Sequence, residues 1–251
     1  MASRIFLKLG NKSKELWDSF VLFFQYTGEI TYNFLLNYRS IGWHDTLVAT
    51  LRSGTWIVIP LVIATSLMGI SLAVTINHLL APYNLQDEAL FAAQRLVLLD
   101  FTPIPIGIVL CVQCGLNLID VNHPSLHHPP QKVVLETIIP LMVSISFTAL
   151  LLYTYISISF FVSMFFAYNH LLKVHIDEYL LRLSGTIKPA DFLFSLFKTI
   201  CYATIASFTA GYYYYDVAQR IIPIRKAVSR IITRGLFWLI VVSVALKVLT
   251  V

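Results

Sequence analysis

Three sets of residues in this 251-residue chain have the types and spacing to do chemistry. Cys111 and Cys114 form a Cys-x-x-Cys pair, His123 and His127 stand four apart beside His128, and Arg95, Asp100 and Lys198 are ionisable groups set among apolar residues. A Cys-x-x-Cys pair suits redox or zinc chemistry, and two histidines four apart can chelate zinc from one face of a helix. The cysteines lie in an uncharged apolar run, however, where two small buried side chains are the expectation. Pro124, Pro129 and Pro130 break any helix through the histidines, so a solvated turn is expected there and no metal site. No Gly-rich Walker loop, Ser-His-Asp set or metalloprotease motif is present, so the chain is not expected to be an enzyme or to bind nucleotide or another cofactor itself.

The ionisable trio gains its meaning from the elements around it. Hydrophobic residues make up 57% of the chain and charged residues 12%, against about 25% charged in an ordinary soluble domain, and the mean hydropathy is +0.75. Ten glycines, ten prolines and three cysteines exclude collagen-like, disordered and disulfide-scaffold classes. The fold class expected is all-α: a polytopic membrane protein forming one membrane domain over residues 1–251. In it, residues 1–50 hold an interfacial amphipathic helix and residues 54–251 a bundle of five transmembrane helices.

A spanning helix needs about 20 apolar residues. Gly54 to Ile76, Phe101 to Ile119 and Thr137 to Asn169 carry no charge, Phe192 to Tyr215 carries only Lys198, and Gly235 to Val251 carries only Lys247, near enough to its end to snorkel. Arg95 and Asp100 precede Phe101 and belong to the same helix. The third stretch exceeds one perpendicular span and is expected to be a single tilted helix with an extension. Tyr212 to Tyr215 fall where span four leaves the bilayer and read as an interfacial belt.

Five spans put the termini on opposite sides. Arg4, Lys8, Lys12, Lys14, Arg39, Arg52, Lys132, Arg220, Arg225, Lys226, Arg230 and Arg234 fall on one side, and only Lys173, Arg182, Lys188 and Lys247 on the other. The richer side is cytoplasmic, which puts the N-terminus inside and reads the +5 net charge as topology, with no nucleic-acid partner. Charges at Lys8, Lys12, Lys14, Glu15 and Asp18 exclude a signal peptide. From Ser13 onward, Leu16, Phe20, Phe23, Phe24, Ile30 and Phe34 form one helical face, with Glu15, Asp18, Gln25 and Glu29 opposite. Such a helix suits the cytoplasmic leaflet or the surface of a soluble partner.

Ionisable groups at membrane depth are costly and so point to function. Asp100 and Lys198 both fall in the outer halves of their spans, so an ion pair between them is geometrically possible. It would serve either to hold the bundle together or to line a cavity that receives a charged headgroup or ion.

From about Phe23 onward the chain resembles the MlaE/YrbE permeases of bacterial lipid-transporting ABC systems that work with MCE-domain proteins. Leu98-Leu99-Asp100-Phe101-Thr102-Pro103 is similar to that family's Leu-Arg-Glu-Leu-Gly-Pro, and Leu196-Phe197-Lys198-Thr199 to its Leu-Ile-Lys-Ser. Val228-Ser229-Arg230-Ile231-Ile232-Thr233-Arg234 is similar to its Ile-Ser-Arg-Ala-Thr-Thr-Arg. The resemblance implies a dimeric inner-membrane permease subunit that moves phospholipid to or from a periplasmic MCE protein, with ATP bound and hydrolysed by a separate ATPase. The partner permease is a second copy or a paralogue, and Gly69-x-x-x-Ala73 offers a close helix approach.

Carried over by position, Asp100 replaces the family's glutamate and Lys198 its lysine, while Leu99 stands at its arginine, a charge that Arg95 could replace. Leu72, Leu79, Leu80 and Tyr83 align with an apolar lipid-pocket wall, and Asp120, His123, Arg230 and Arg234 would face the ATPase. The segment from Pro103 to Pro140 is shorter than the family's coupling region, and Tyr212 to Arg225 replaces its Gly-rich stretch. These departures leave a second implication open, a non-transporting scaffold subunit of an MCE complex.

Overall fold

The structure, a computed structural model, describes residues 20–33, 43–83, 85–120, 130–171, 173, 175–177, 179–181 and 188–249. Among these residues there is no strand. Helix α1 covers 20–33. Helix α2 (Trp43–Leu80) runs into a 3-10 turn (Ala81–Tyr83), and α3 (Gln86–Leu96) continues through a π turn (Val97–Phe101) into α4 (Pro103–Asp120). Helix α5 (Ile139–Phe166) has π turns at both ends, Val134–Ile138 and Ala167–Leu171, and α6 (Pro189–Ala218) and α7 (Ile224–Leu249) complete the chain.

Among the described residues, five stretches are long and apolar enough to cross a membrane: Ile57–Tyr83, Leu90–Ile119, Val134–Leu171, Pro189–Ala218 and Ile224–Leu249. A helix satisfies its own backbone hydrogen bonds, which is why apolar runs of this length take that form in lipid. The third is continuous over 38 residues, about 57 Å at 1.5 Å per residue, so it must tilt or project, as its composition suggests. The fifth begins at Ile224 rather than near Gly235. Arg225, Lys226, Arg230 and Arg234 therefore stand on the helix itself and not in a loop before it.

Helix α6 is central and touches α4, α5 and α7, while α2 packs along α5. Small residues set these approaches. A Cβ on Gly69 would lie 2.1 Å from Ser163 Oγ, Ala73 is fully buried, and Ser66 Oγ meets Ser159 Oγ at 2.6 Å. The Gly69/Ala73 stripe is therefore spent on α5 of the same chain, a correction to its reading as a dimer contact. Between α4 and α7 the fit is stepwise: Gly107 against Leu239, Cys111 against Gly235, Gly115 against Ile232. Steps of four along α4 meet steps of four and three along antiparallel α7, the spacing of one helix ridge on another. Cys111 and Cys114 are buried free thiols within this packing.

The α6–α7 hairpin closes with a Schellman turn. Ile221 N–H donates to Asp216 O at 3.1 Å and Arg220 N–H to Val217 O at 2.9 Å, with Arg220 left-handed at φ 59°. Helix α1 docks on α6 through Tyr26, which is fully buried and donates its hydroxyl to Phe208 O at 3.2 Å. Its ring packs on Phe208, Tyr212 and Tyr215, and burial raises its pKa above the ordinary phenol value. Gly211 makes room, since a Cβ there would sit 2.2 Å from the Tyr26 hydroxyl.

Two expectations change as a result. Tyr213, Tyr214 and Tyr215 are buried inside the protein, so these tyrosines are packing residues rather than a lipid-facing belt. On α1 the inward face carries Tyr26 with half-buried Leu22, Ile30 and Glu29, while Phe20 and Phe24 point outward. Leu16 and Phe34 of the expected apolar face lie outside the described residues.

Candidate functional site

The site begins with a proline. Pro103 has no N–H, so the helix leading into it has carbonyls without their usual donor: Leu99 O in α register and Leu98 O in π register. The backbone responds with the π turn, closed by Thr102 N–H and Thr102 Oγ1, each donating to Val97 O at 2.9 Å. π turns recur at functional sites because they re-aim side chains and free backbone groups. Here both freed carbonyls are taken by α6. Ser195 Oγ donates to Leu98 O, and Lys198 Nζ donates to Leu99 O at 3.0 Å. Ser195 and Lys198 are three residues apart on one buried face of α6.

Asp100 lies in the same turn. Its Oδ1 accepts from Lys198 Nζ at 2.8 Å and its Oδ2 from Lys247 Nζ at 3.0 Å. One carboxylate thus joins three spans, with ammonium groups from α6 and α7 on its two oxygens. Side-chain exposure rises outward, 3% for Lys198, 22% for Asp100 and 66% for Lys247. A lysine as buried as Lys198 is tenable because its charge is paired and hydrogen-bonded, and the Phe194 ring lies 5.9 Å from its nitrogen. The Asp100–Lys198 pair was legible in the sequence. Lys247 as its third member was not. The signal was the hairpin register: Lys198 is 20 residues before Ala218 and Lys247 is 23 after Ile224. At 1.5 Å per residue both stand at similar height, about 30–35 Å from the turn.

The other sequence-derived residues are placed differently. Arg95 is exposed on α3 and makes no ion pair with Asp100, so it does not restore a charge to the cluster. Leu72 and Leu80 are half-buried, and Leu72 packs on the core. Leu79 and Tyr83 are 64% and 73% exposed on the outside of the chain. Together they form an apolar outer face at the end of α2 rather than an enclosed pocket.

Arg230 and Arg234 lie at the opposite end of the hairpin axis from Lys247, toward Asp216. The Arg234 guanidinium is 5.6 Å from the Tyr213 ring centroid. Asp216 is 5% exposed, and its Oδ1 is buried without a hydrogen bond among the described residues. Sequence reasoning passed over Asp216 by ending span four at Tyr215, although the helix continues to Ala218. Asp120 ends α4, but its side chain, His123 and the rest of the histidine turn lie outside what the structure describes.

Residues 132–249 match the family model described as Permease MlaE. The matched stretch holds α5, α6 and α7, with Lys198, Lys247, Arg230 and Arg234, and stops short of Asp100. No curated protein matches the chain. The five membrane-length helices among the described residues are those of a multi-pass membrane protein, and the match makes the last three of them similar to that permease family.

Proposed function

We propose that this chain, whose last three spans match the MlaE permease family, is the transmembrane subunit of an ABC-type phospholipid transporter. In this reading it works as a dimer with a second copy or a paralogue in the bacterial inner membrane, N-terminus inside. It passes phospholipid between that membrane and a periplasmic MCE protein, and a separate ATPase supplies the energy. The observation that carries the reading is the carboxylate of Asp100 held between Lys198 and Lys247 toward the end of the bundle where α2 and the turn after it present Leu79 and Tyr83. Charged and apolar groups at one end match the two parts of a phospholipid. Intramembrane charges of this kind mark substrate paths more often than they add stability.

Purification of the complex from native membranes, with mass spectrometry of proteins and lipids, tests the reading. A Walker-motif ATPase, an MCE protein and enriched phospholipid are expected. A second reading, a scaffold subunit without productive ATPase coupling, is favoured by one feature of the sequence: the segment from Pro103 to Pro140, which would hold a coupling element, is short. Recovery of the MCE protein without any ATPase would select that reading.

A further inference from the structure

We infer that Lys247, rather than Lys198, is the cation that meets a lipid headgroup, and that with Asp100 it forms a site for a phosphate paired with a primary ammonium, as in phosphoethanolamine. This rests on the phospholipid-permease reading above. Lys198 is 3% exposed and already donates to Leu99 O and Asp100 Oδ1, so nothing outside the bundle can reach it. It is a positioning residue that holds Asp100 by one oxygen. Lys247 is 66% exposed, two residues from the end of α7, and holds the other oxygen at 3.0 Å. The pair at the rim is therefore an exposed ammonium beside a carboxylate anchored from behind.

The chemistry of exchange selects the headgroup. A phosphate reaching Lys247 draws that ammonium off Asp100 Oδ2. With a phosphoglycerol headgroup, the carboxylate then faces a second anion with no new cation. A choline headgroup brings positive charge but no N–H to donate. A primary ammonium does both, donating to Oδ2 while its phosphate accepts from Lys247. One ion pair is exchanged for two, and the net charge of the site does not change. Charge-assisted hydrogen bonds of this kind are the strong ones.

The test is native mass spectrometry of the purified full chain titrated with phosphatidylethanolamine, phosphatidylglycerol and phosphatidylcholine of identical acyl chains. The wild type is expected to retain phosphatidylethanolamine about tenfold better than the other two, the worth of one charge-assisted bond. Lys247→Gln should bring it down to their level, and Lys247→Arg should keep most of the preference. Equal retention of all three lipids by the wild type, or an undiminished preference in Lys247→Gln, would overturn the inference and leave the permease reading standing. Failure of the wild type to retain any phospholipid would remove both.

Discussion

Pro103 and Lys198 are joined through a carbonyl: the N–H that the proline lacks is replaced at Leu99 O by the lysine ammonium, 3.0 Å away on another helix. A backbone defect in span two and a charge in span four thus answer each other, and Asp100 completes the charge balance from within the same turn.

That relationship predicts a double-mutant cycle. Lys198→Met leaves Asp100 and Leu99 O without their buried partner and should cost about 3–5 kcal/mol. In a Pro103→Ala background a helix N–H becomes available to the carbonyls, and the same substitution should cost about 1 kcal/mol less. Denaturant unfolding of the four variants in micelles measures the difference; strict additivity would show that the proline and the lysine act separately.

Gly69 supplies a second prediction. Its Cβ position is occupied by Ser163 Oγ, so Gly69→Ala should destabilise the chain by about 1–3 kcal/mol, and Ser163→Gly should recover part of that. Loss of self-association at unchanged stability would instead place Gly69 between two chains.

The seat of α1 is tested at Gly211. Gly211→Ala drives a methyl into the Tyr26 hydroxyl and should release α1 to proteolysis, with a loss of about 1–3 kcal/mol. Tyr26→Phe removes the obstructing oxygen and costs only one hydrogen bond, about 0.5–1.5 kcal/mol. In that background Gly211→Ala should therefore do less harm. Equal damage in both backgrounds would point to Ile138, the other neighbour of that position, as the obstruction.

Arg220 occupies a left-handed position where glycine is the usual residue. Arg220→Gly should stabilise the hairpin by about 0.5–1 kcal/mol, read as a higher melting temperature, whereas Arg220→Val should lower it.

Much of the architecture was legible because hydropathy is a one-dimensional signal, and span number and helical class follow from it directly. Features that depend on how helices meet were harder to see. Lys247 looks like a snorkelling terminus until α6 and α7 are folded back on each other and their heights compared. Tyr213 to Tyr215 carry the composition of an interfacial belt, yet α7, α4 and α1 meet them in turn, and composition does not reveal that cover. Arg95 sits on the same continuous helix as Asp100, but the π turn between them alters the facing that an α register gives. Asp100 and Lys198 were found because a charge inside an apolar run is visible whatever the register.

The central claim, that the Asp100–Lys198 pair serves phospholipid transport, is tested most directly by ATP-driven phospholipid transfer in the reconstituted complex. Wild type is to be compared with Asp100→Ala/Lys198→Ala, which removes both charges of the inner pair together and takes the Asp100 carboxylate only from the exposed Lys247. The account predicts that the double variant inserts and assembles with its partners but loses most of the transfer. Undiminished transfer by that variant would contradict it.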